Sequence, residues 1–414
     1  MTAPAPMRIA VWHNLYSGGG LRALQTHVRG LLDRGHSVEA WCVGERPAGW
    51  APFGPRVREH RVPLAATAGW RGATPRWLRD IQAMEAACER CAREMEAGGF
   101  DLAFANTCQS YAVPFVMRYL RRLPRVLYLQ EPRRALYEAQ PVLPWVGEAE
   151  AAEEGGPAPL RELRQVRRWY ALRAQARREW LNVHACDTVL VNSYYSRESV
   201  LRAYARDSDV CYLGVETELF RPGAARREPL VVGLGALDRA KGVHLAVRAV
   251  AGLAAPRPAL AWVADRGDAT YAREVRELAS GLGVELRVMQ GIADAELSDI
   301  LGRASLMLYT SRLEPFGLAP LEANACGTPV VAIAEGGVRE TVLDGVNGLL
   351  ADARPDSLAA AMARLLGDAP FARRLGDRAA EHVREHWTAD ASVRRLEAHL
   401  LRARHSRSER KVLQ

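Results

Sequence analysis

The chain has no apolar run long enough to cross a bilayer. Its most apolar stretches, such as Pro329-Val-Val-Ala-Ile-Ala334, fall far short of the roughly 18 residues a spanning helix needs. The first residues, Met1-Thr-Ala-Pro-Ala-Pro-Met7, lack a charged segment followed by an apolar one, so secretion is not expected and a cytoplasmic location is. Seven cysteines, odd in number and scattered, do not make a disulfide framework and fit a reducing compartment. The close pair Cys88-Glu-Arg-Cys91 has no second pair and no histidine at ligand spacing, so it reads as two helix residues rather than a zinc or redox centre. No other cluster has metal-ligand spacing, and no metal or cofactor is expected. What is present is ordinary soluble composition: about half hydrophobic and a quarter charged over 414 residues, too long for one core and suited to two domains. The formal net charge is +8, which admits nucleic acid, an anionic membrane surface or a phosphorylated substrate as partner. Arginines are densest across 161–178, where they mix with apolar residues at roughly helical spacing.

Strand and helix signals alternate. Met7-Arg-Ile-Ala-Val-Trp12 suits a buried parallel strand, followed by Ser17-Gly-Gly-Gly-Leu21, a helix to Leu32 and a stop at Gly35-His36. Further strands are expected over 37–43, 101–105, 125–130 and 188–192. The pattern restarts at 230–235 and continues with strands over 260–264, 286–289, 306–309 and 329–333. This alternation predicts an α/β fold with two doubly wound parallel sheets in tandem. The join is expected near 214–222, where the periodicity breaks. Residues 140–159, rich in Pro, Gly and Glu, read as a mobile loop. A last helix over about 391–404 follows a domain that is already complete, with a polar tail beyond it.

One segment carries most of the chemistry: Ser311-Arg-Leu-Glu-Pro-Phe-Gly-Leu-Ala-Pro-Leu-Glu-Ala-Asn-Ala-Cys-Gly-Thr-Pro-Val-Val331. Phe316-Gly317-Leu318 can open a helix whose first amides are free to meet an anion such as a diphosphate. Glu314 stands just ahead of that helix, able to accept from sugar hydroxyls. Glu322, two turns on, could hold the two hydroxyls of a ribose. Taken alone, the two could equally be a loop acid and a helix-surface acid. In Gly233-Leu-Gly-Ala-Leu-Asp-Arg-Ala-Lys-Gly242, a glycine turn lets backbone approach a phosphate and Lys241 adds compact positive charge. A structural turn with an exposed lysine is the competing reading. The consecutive glycines at 18–20 do not match the G-x-G-x-x-G of a dinucleotide loop.

The 311–331 segment resembles the sugar-donor motif of the retaining family 4 glycosyltransferases: an acid, an aromatic-Gly pair, a second acid after seven residues, then Ala-x-Ala-x-Gly-x-Pro-Val. The resemblance extends to Gly18 and Gly19, which correspond to the family's glycine loop facing the donor phosphates. It extends also to Gln290-Gly291 and to shorter stretches from 190 to 350. It implies that Phe316, Gly317, Leu318, Glu322 and Gly291 bind the donor, and that Glu314 and Lys241 are catalytic, Lys241 by clamping the leaving diphosphate. Two departures stand out. Ala236 occupies the position of the family's second clamping residue, an arginine, for which Arg239 is the nearest substitute. Gln130, in Tyr128-Leu-Gln-Glu-Pro, stands where several members have a histidine that contacts the donor sugar; it can hydrogen-bond but carries no proton at neutral pH, so it reads as a donor contact and not a catalyst, with a buried structural amide as the competing reading. His13 and His27 read as structural.

The resemblance implies a GT-B architecture: an N-terminal acceptor-side Rossmann-like domain over 1–213, a C-terminal nucleotide-sugar domain over 214–390, and a helix over 391–414 crossing back. It implies transfer of a sugar, with retention, from a UDP- or GDP-linked donor to a small-molecule, glycan or lipid acceptor. The basic segment 161–178 is a candidate for peripheral membrane contact, and nucleic acid is not an expected partner. The rival readings are a nucleotide-sugar epimerase and an inactive sugar-nucleotide binder.

Overall fold

The computed structural model describes residues 5–15, 18–44, 52–64, 76–137, 158–223 and 226–412. The expected loop over 140–159 lies almost wholly outside them. In the N-terminal half, β1 (Arg8–His13), α1 (Gly19–Asp33), β2 (Ser37–Val43), β3 (Arg58–Val62), α2 (Arg76–Ala97) and β4 (Leu102–Asn106) come first. Next are α3 (Val116–Tyr119), β5 (Arg125–Tyr128), α4 (Arg134–Tyr137), α5 (Ala158–His184), β6 (Thr188–Val191), α6 (Tyr194–Tyr204) and β7 (Asp209–Val210). The second half opens with β8 (Glu228–Leu234), a 3₁₀ turn (Arg239–Lys241), α7 (Val243–Ala251), β9 (Ala259–Ala264), α8 (Ala269–Gly281), β10 (Leu286–Gln290) and α9 (Asp294–Arg303). It continues with β11 (Ala304–Tyr309), α10 (Leu318–Ala325), β12 (Val330–Ile333), α11 (Val338–Thr341), β13 (Gly348–Ala351), α12 (Pro355–Gly367) and α13 (Ala369–His386). The final helix is α14 (Ala389–Val412).

Among the described residues the strands form two parallel sheets, ordered β3-β2-β1-β4-β5-β6-β7 and β10-β9-β8-β11-β12-β13. Each is the doubly wound order in which the first strand lies at the centre and the direction of winding reverses beside it. Val11 pairs with Ala40 on one side and Phe104 on the other. Side chains of such a strand alternate between faces, and both faces are covered. Ile9 and Val11 pack with Leu24, Val28 and Leu31 of α1, while Ala10 and Trp12 pack with Met84, Cys88 and Met95 of α2. Burial of each such aliphatic side chain contributes about 1.5–3 kcal/mol. Cys88 and Cys91 are fully buried in that second layer, and burial raises both thiols, Cys91 to about 12. They are core residues.

Three strands escaped the sequence reading. β3 carries Arg-Glu-His-Arg in an edge position, where a half-solvated strand has no apolar run to announce it. β7 is a two-residue strand at the other edge of that sheet, and β13 is only four residues long at an edge of the second sheet.

The halves are joined by two crossings lying side by side. Val215 N–H donates to Trp387 O at 2.8 Å, and Ala389 N–H donates to Val215 O at 2.8 Å. α14 then returns along α1, with His27 Nε2 meeting Ser392 Oγ at 2.9 Å and Arg34 Nε donating to Glu397 at 2.7 Å. The helix begins earlier than expected and persists to Val412, since no glycine or proline interrupts it. One hydrophobic cluster runs continuously from Val11 and Leu24 through Val215 and Phe220 to Phe316, Leu321 and Leu400.

Candidate active site between the two sheets

In doubly wound sheets ligands bind beyond the carboxyl ends of the strands, where the winding reverses. β1, β5, β8 and β11 deliver their loops to that edge, and these loops carry the residues singled out in the sequence.

β11 leads into the acid ahead of α10. Glu314 Oε2 accepts from Lys241 Nζ at 2.7 Å and from Ser311 Oγ at 2.6 Å. Burial alone would raise the Glu314 carboxyl, but the Lys241 charge and these two donors outweigh it and hold the carboxyl below its ordinary value. Glu314 is therefore ionised at neutral pH. Lys241 ends the 3₁₀ turn, which Asp238 caps by accepting from Lys241 N–H at 3.0 Å, while Thr310 Oγ1 donates to Lys241 O at 2.8 Å. The pair is about one quarter exposed, so it is fixed yet reachable from the cleft.

α10 starts at Gly317, whose φ is 97°. A Cβ there would also stand 3.1 Å from Thr341 Oγ1, so both conformation and space require glycine. The first-turn amides of Leu318 and Ala319 have no intrahelical acceptor, and Pro320 at the third position has no N–H to satisfy. Their dipole end favours an anion.

Facing this is α1. A Cβ on Gly18 would lie 3.3 Å from Asp265 Oδ2, one on Gly19 would lie 4.0 Å from Leu318 Cδ2, and one on Gly20 would lie 3.0 Å from Gln130 Nε2. Three successive glycines thus let the start of α1 approach the β9 loop, the start of α10 and the end of β5. One turn further, Arg22 donates to Glu322 at 2.5 Å and to Asp294 at 3.0 Å. The two helices therefore run side by side from starts that open onto the same crevice. Glu322 is almost completely buried; burial raises its carboxyl and the Arg22 charge opposes that rise. A small pocket beside the pair is lined by Arg22, Thr26, Glu216, Asp294, Leu318 and Glu322. The Gln130 side-chain nitrogen is buried and has no hydrogen-bond partner among the described residues.

Not every candidate joins this crevice. Arg239, the expected substitute for the absent arginine, donates instead to Glu274 at 2.7 Å and lies over the Tyr271 ring, on the outer side of its turn. Phe316 buries its ring against Trp387 and Tyr212 at the domain crossing, so it braces the helix start and leaves only backbone for a ligand. Gly291 sits in a left-handed turn just after β10, at the same sheet edge. His27 is fully buried and burial lowers its ring to about 4; with its Ser392 partner it is a neutral structural residue. His13 is likewise buried, edge-on to Phe53. In α5, Arg167, Arg168, Trp169 and Tyr170 are all exposed.

Sequence reasoning missed several groups. Arg134 reaches across the cleft to the carbonyls of Arg312, at 3.0 Å, and Leu313. Leu313 is left-handed at φ 50°, a conformation of about 1–2 kcal/mol cost for an L side chain, so Arg134 steadies the strained residue next to Glu314. Arg134 Nε also donates to Glu131 at 2.9 Å. Burial raises the Glu131 carboxyl, as does nearby Glu314, against the pull of Arg134. Ser193 Oγ donates to Pro315 O at 2.5 Å, and Glu340 accepts from the N–H groups of Tyr194 and Tyr195 at 2.9 and 3.0 Å. The start of α6 is thereby docked on the loop that carries Glu314. Arg22 had a signal, since it lies one helical turn beyond Gly19; the others depend on cross-domain contacts that no spacing encodes.

Two doubly wound sheets facing edge to edge, with a last helix returning to the first, define the GT-B class of α/β folds. The whole chain matches sucrose-phosphate synthase from Thermosynechococcus elongatus with a TM-score of 0.73 at 23% identity, covering 97% of this chain and 100% of that one. It matches Anabaena HepE in complex with UDP and glucose with a TM-score of 0.70 at 18% identity, covering 95% and 99%. These likenesses show the fold. Residues 215–382 match the family model of glycosyl transferases group 1, so the second domain belongs to that family. D-inositol 3-phosphate glycosyltransferase from Acidothermus cellulolyticus is 32% identical over 229 residues, 50% of this chain and 51% of that protein. The enzyme of the same name from Stackebrandtia nassauensis is 36% identical over 221 residues, 48% and 50% of the two. The chain spans about half the length of these curated relatives.

Proposed function

We propose that this chain is a retaining glycosyltransferase that moves a sugar from a nucleoside-diphosphate donor to a separate acceptor. The observation that carries the reading is convergence: the starts of α1 and α10 open onto one crevice, beside a lysine–glutamate pair fixed at the carboxyl edge of the second sheet. Two amide-rich helix ends and an ammonium are an anion cradle, and a flanking carboxylate suits sugar hydroxyls.

In the proposed reaction the sugar–phosphate C1–O bond breaks and its electron pair passes to the β-phosphate oxygen. That oxygen takes the proton of the acceptor hydroxyl as the acceptor oxygen bonds to C1 on the same face. Lys241 and the first amides of α10 stabilise the departing diphosphate, and Glu314 holds the sugar while fixing Lys241. Glu322 takes the ribose, sharing its carboxylate with Arg22. Gln130 and Gly291 contribute from the two sides. In this reading cations and amides neutralise the diphosphate without a metal, and the reaction occurs in the cytoplasm. A UDP-sugar is the favoured donor class, because a structural relative holds UDP and glucose. A phosphorylated polyol is the first acceptor to try, because the curated relatives are named for one and the net charge of +8 suits it.

The test is a panel of UDP- and GDP-sugars incubated with the protein and polyol phosphates in the presence of EDTA. The expected result is a new product heavier than the acceptor by one sugar, with the donor's anomeric configuration by NMR. An epimerised donor with unchanged acceptor, or nucleotide binding without donor consumption, would replace this reading by an epimerase or an inactive binder.

A further inference from the structure

We infer that Arg266 supplies the second positive charge for the leaving diphosphate, the role left open by Ala236 and by the outward-turned Arg239. This assignment rests on the donor site proposed above. Its grounds are geometric. The loop after β9 is bound to the loop after β8: Leu237 N–H donates to Arg266 O at 2.9 Å, and Asp268 N–H returns to Leu237 O at 3.0 Å. Arg266 therefore stands beside Ala236, one residue from a shared backbone hydrogen bond, in a loop pinned at both ends. Its guanidinium lies 3.7 Å from where a Cβ on Gly18 would stand. That places it against the glycine start of α1, on the phosphate side of the crevice.

Among the described residues, three other cations of the crevice are held by stronger partners. Lys241 is bonded to Glu314, Arg22 to Glu322 and Asp294, and Arg134 to Glu131 and two carbonyls. Arg266 is 60% exposed, and its neighbour Asp265 reaches it at only 3.4 Å, the long limit of a hydrogen bond. A diphosphate, with more charge and paired oxygens, competes well for such a guanidinium. Asp265 then serves to aim the side chain at the glycine loop until the donor arrives.

Calorimetric binding of UDP, UMP and uridine, with turnover, tests the assignment on the full chain. Arg266→Ala should weaken UDP about tenfold or more while leaving UMP and uridine within about twofold, and should lower turnover about a hundredfold, the scale of one lost oxyanion donor. Arg266→Lys should recover part of both losses. Ala236→Arg added to Arg266→Ala should recover more, since it rebuilds the charge from the neighbouring loop. Arg239→Ala should change neither. UDP affinity and turnover of Arg266→Ala within about twofold of wild type would overturn the assignment while leaving the donor site standing. A wild-type chain that binds no nucleoside diphosphate would remove both.

Discussion

The two sheets share a strand order, yet they furnish the cleft differently. The second sheet presents charge that is already paired and positioned: Lys241 on Glu314, Ser311 on Glu314, Asp238 under Lys241. The first presents shape, in three glycines that let a helix start come close, and an amide, Gln130, with a buried nitrogen lacking a partner among the described residues. A shared topology thus fixes where a ligand sits, and loop residues fix which partner does what. The family model covers the second sheet and stops short of the first, as expected if nucleotide handling is common to many chains and acceptor handling is particular to each.

If chemistry resides on the second sheet, the largest effect should come from Glu314→Ala and Lys241→Ala. Each should reduce turnover at least a hundredfold, about 2.7 kcal/mol of barrier, with an unchanged circular dichroism spectrum. Gln130→Ala should cost about tenfold, and a loss as great as theirs would break the comparison. Next is Glu322→Gln, which removes the charge shared by Arg22 and the proposed ribose. Uridine affinity measured by calorimetry should fall about tenfold, with little change in turnover at saturating donor.

On activity at neutral pH the smallest effect comes from the first sheet's side, at His27, whose contribution is to stability alone. Folded His27 holds its ring near pKa 4 against 6.5 when free. As pH falls below 6.5 the unfolded chain takes up a proton that the folded chain refuses, so stability drops until about pH 4 and then levels. The loss is about 3 kcal/mol. His27→Gln should flatten this part of the curve in urea unfolding compared at about pH 7 and pH 4.5.

Much of the site was legible in the residues because it is local. The acid, the glycine helix start and the second acid lie within 314–322 on one loop and one helix, and the pairing of Glu314 with Lys241 follows from two neighbouring strand ends. What escaped was non-local or depended on direction. Arg239 sits two residues from Lys241, but residues of a tight turn point apart, so despite its proximity in sequence it reaches Glu274 instead of the crevice. Phe316 belongs to the motif, yet its ring faces the crossing formed with Trp387. Arg134 and Arg22 reach partners 178 to 300 positions away.

The sequence by itself determined two doubly wound sheets, through alternating apolar strands and amphipathic helices, and the chemistry of the α10 start, through glycine, proline and carboxylate at fixed spacing. These are short-range consequences of backbone geometry and side-chain type. Only the tertiary structure decided which cations face the crevice, which are spent on outer partners, and that Arg22 occupies Glu322. Those outcomes depend on how the two sheets meet, and that meeting is set by the crossings at Val215 and Trp387 and by α14 lying back along α1.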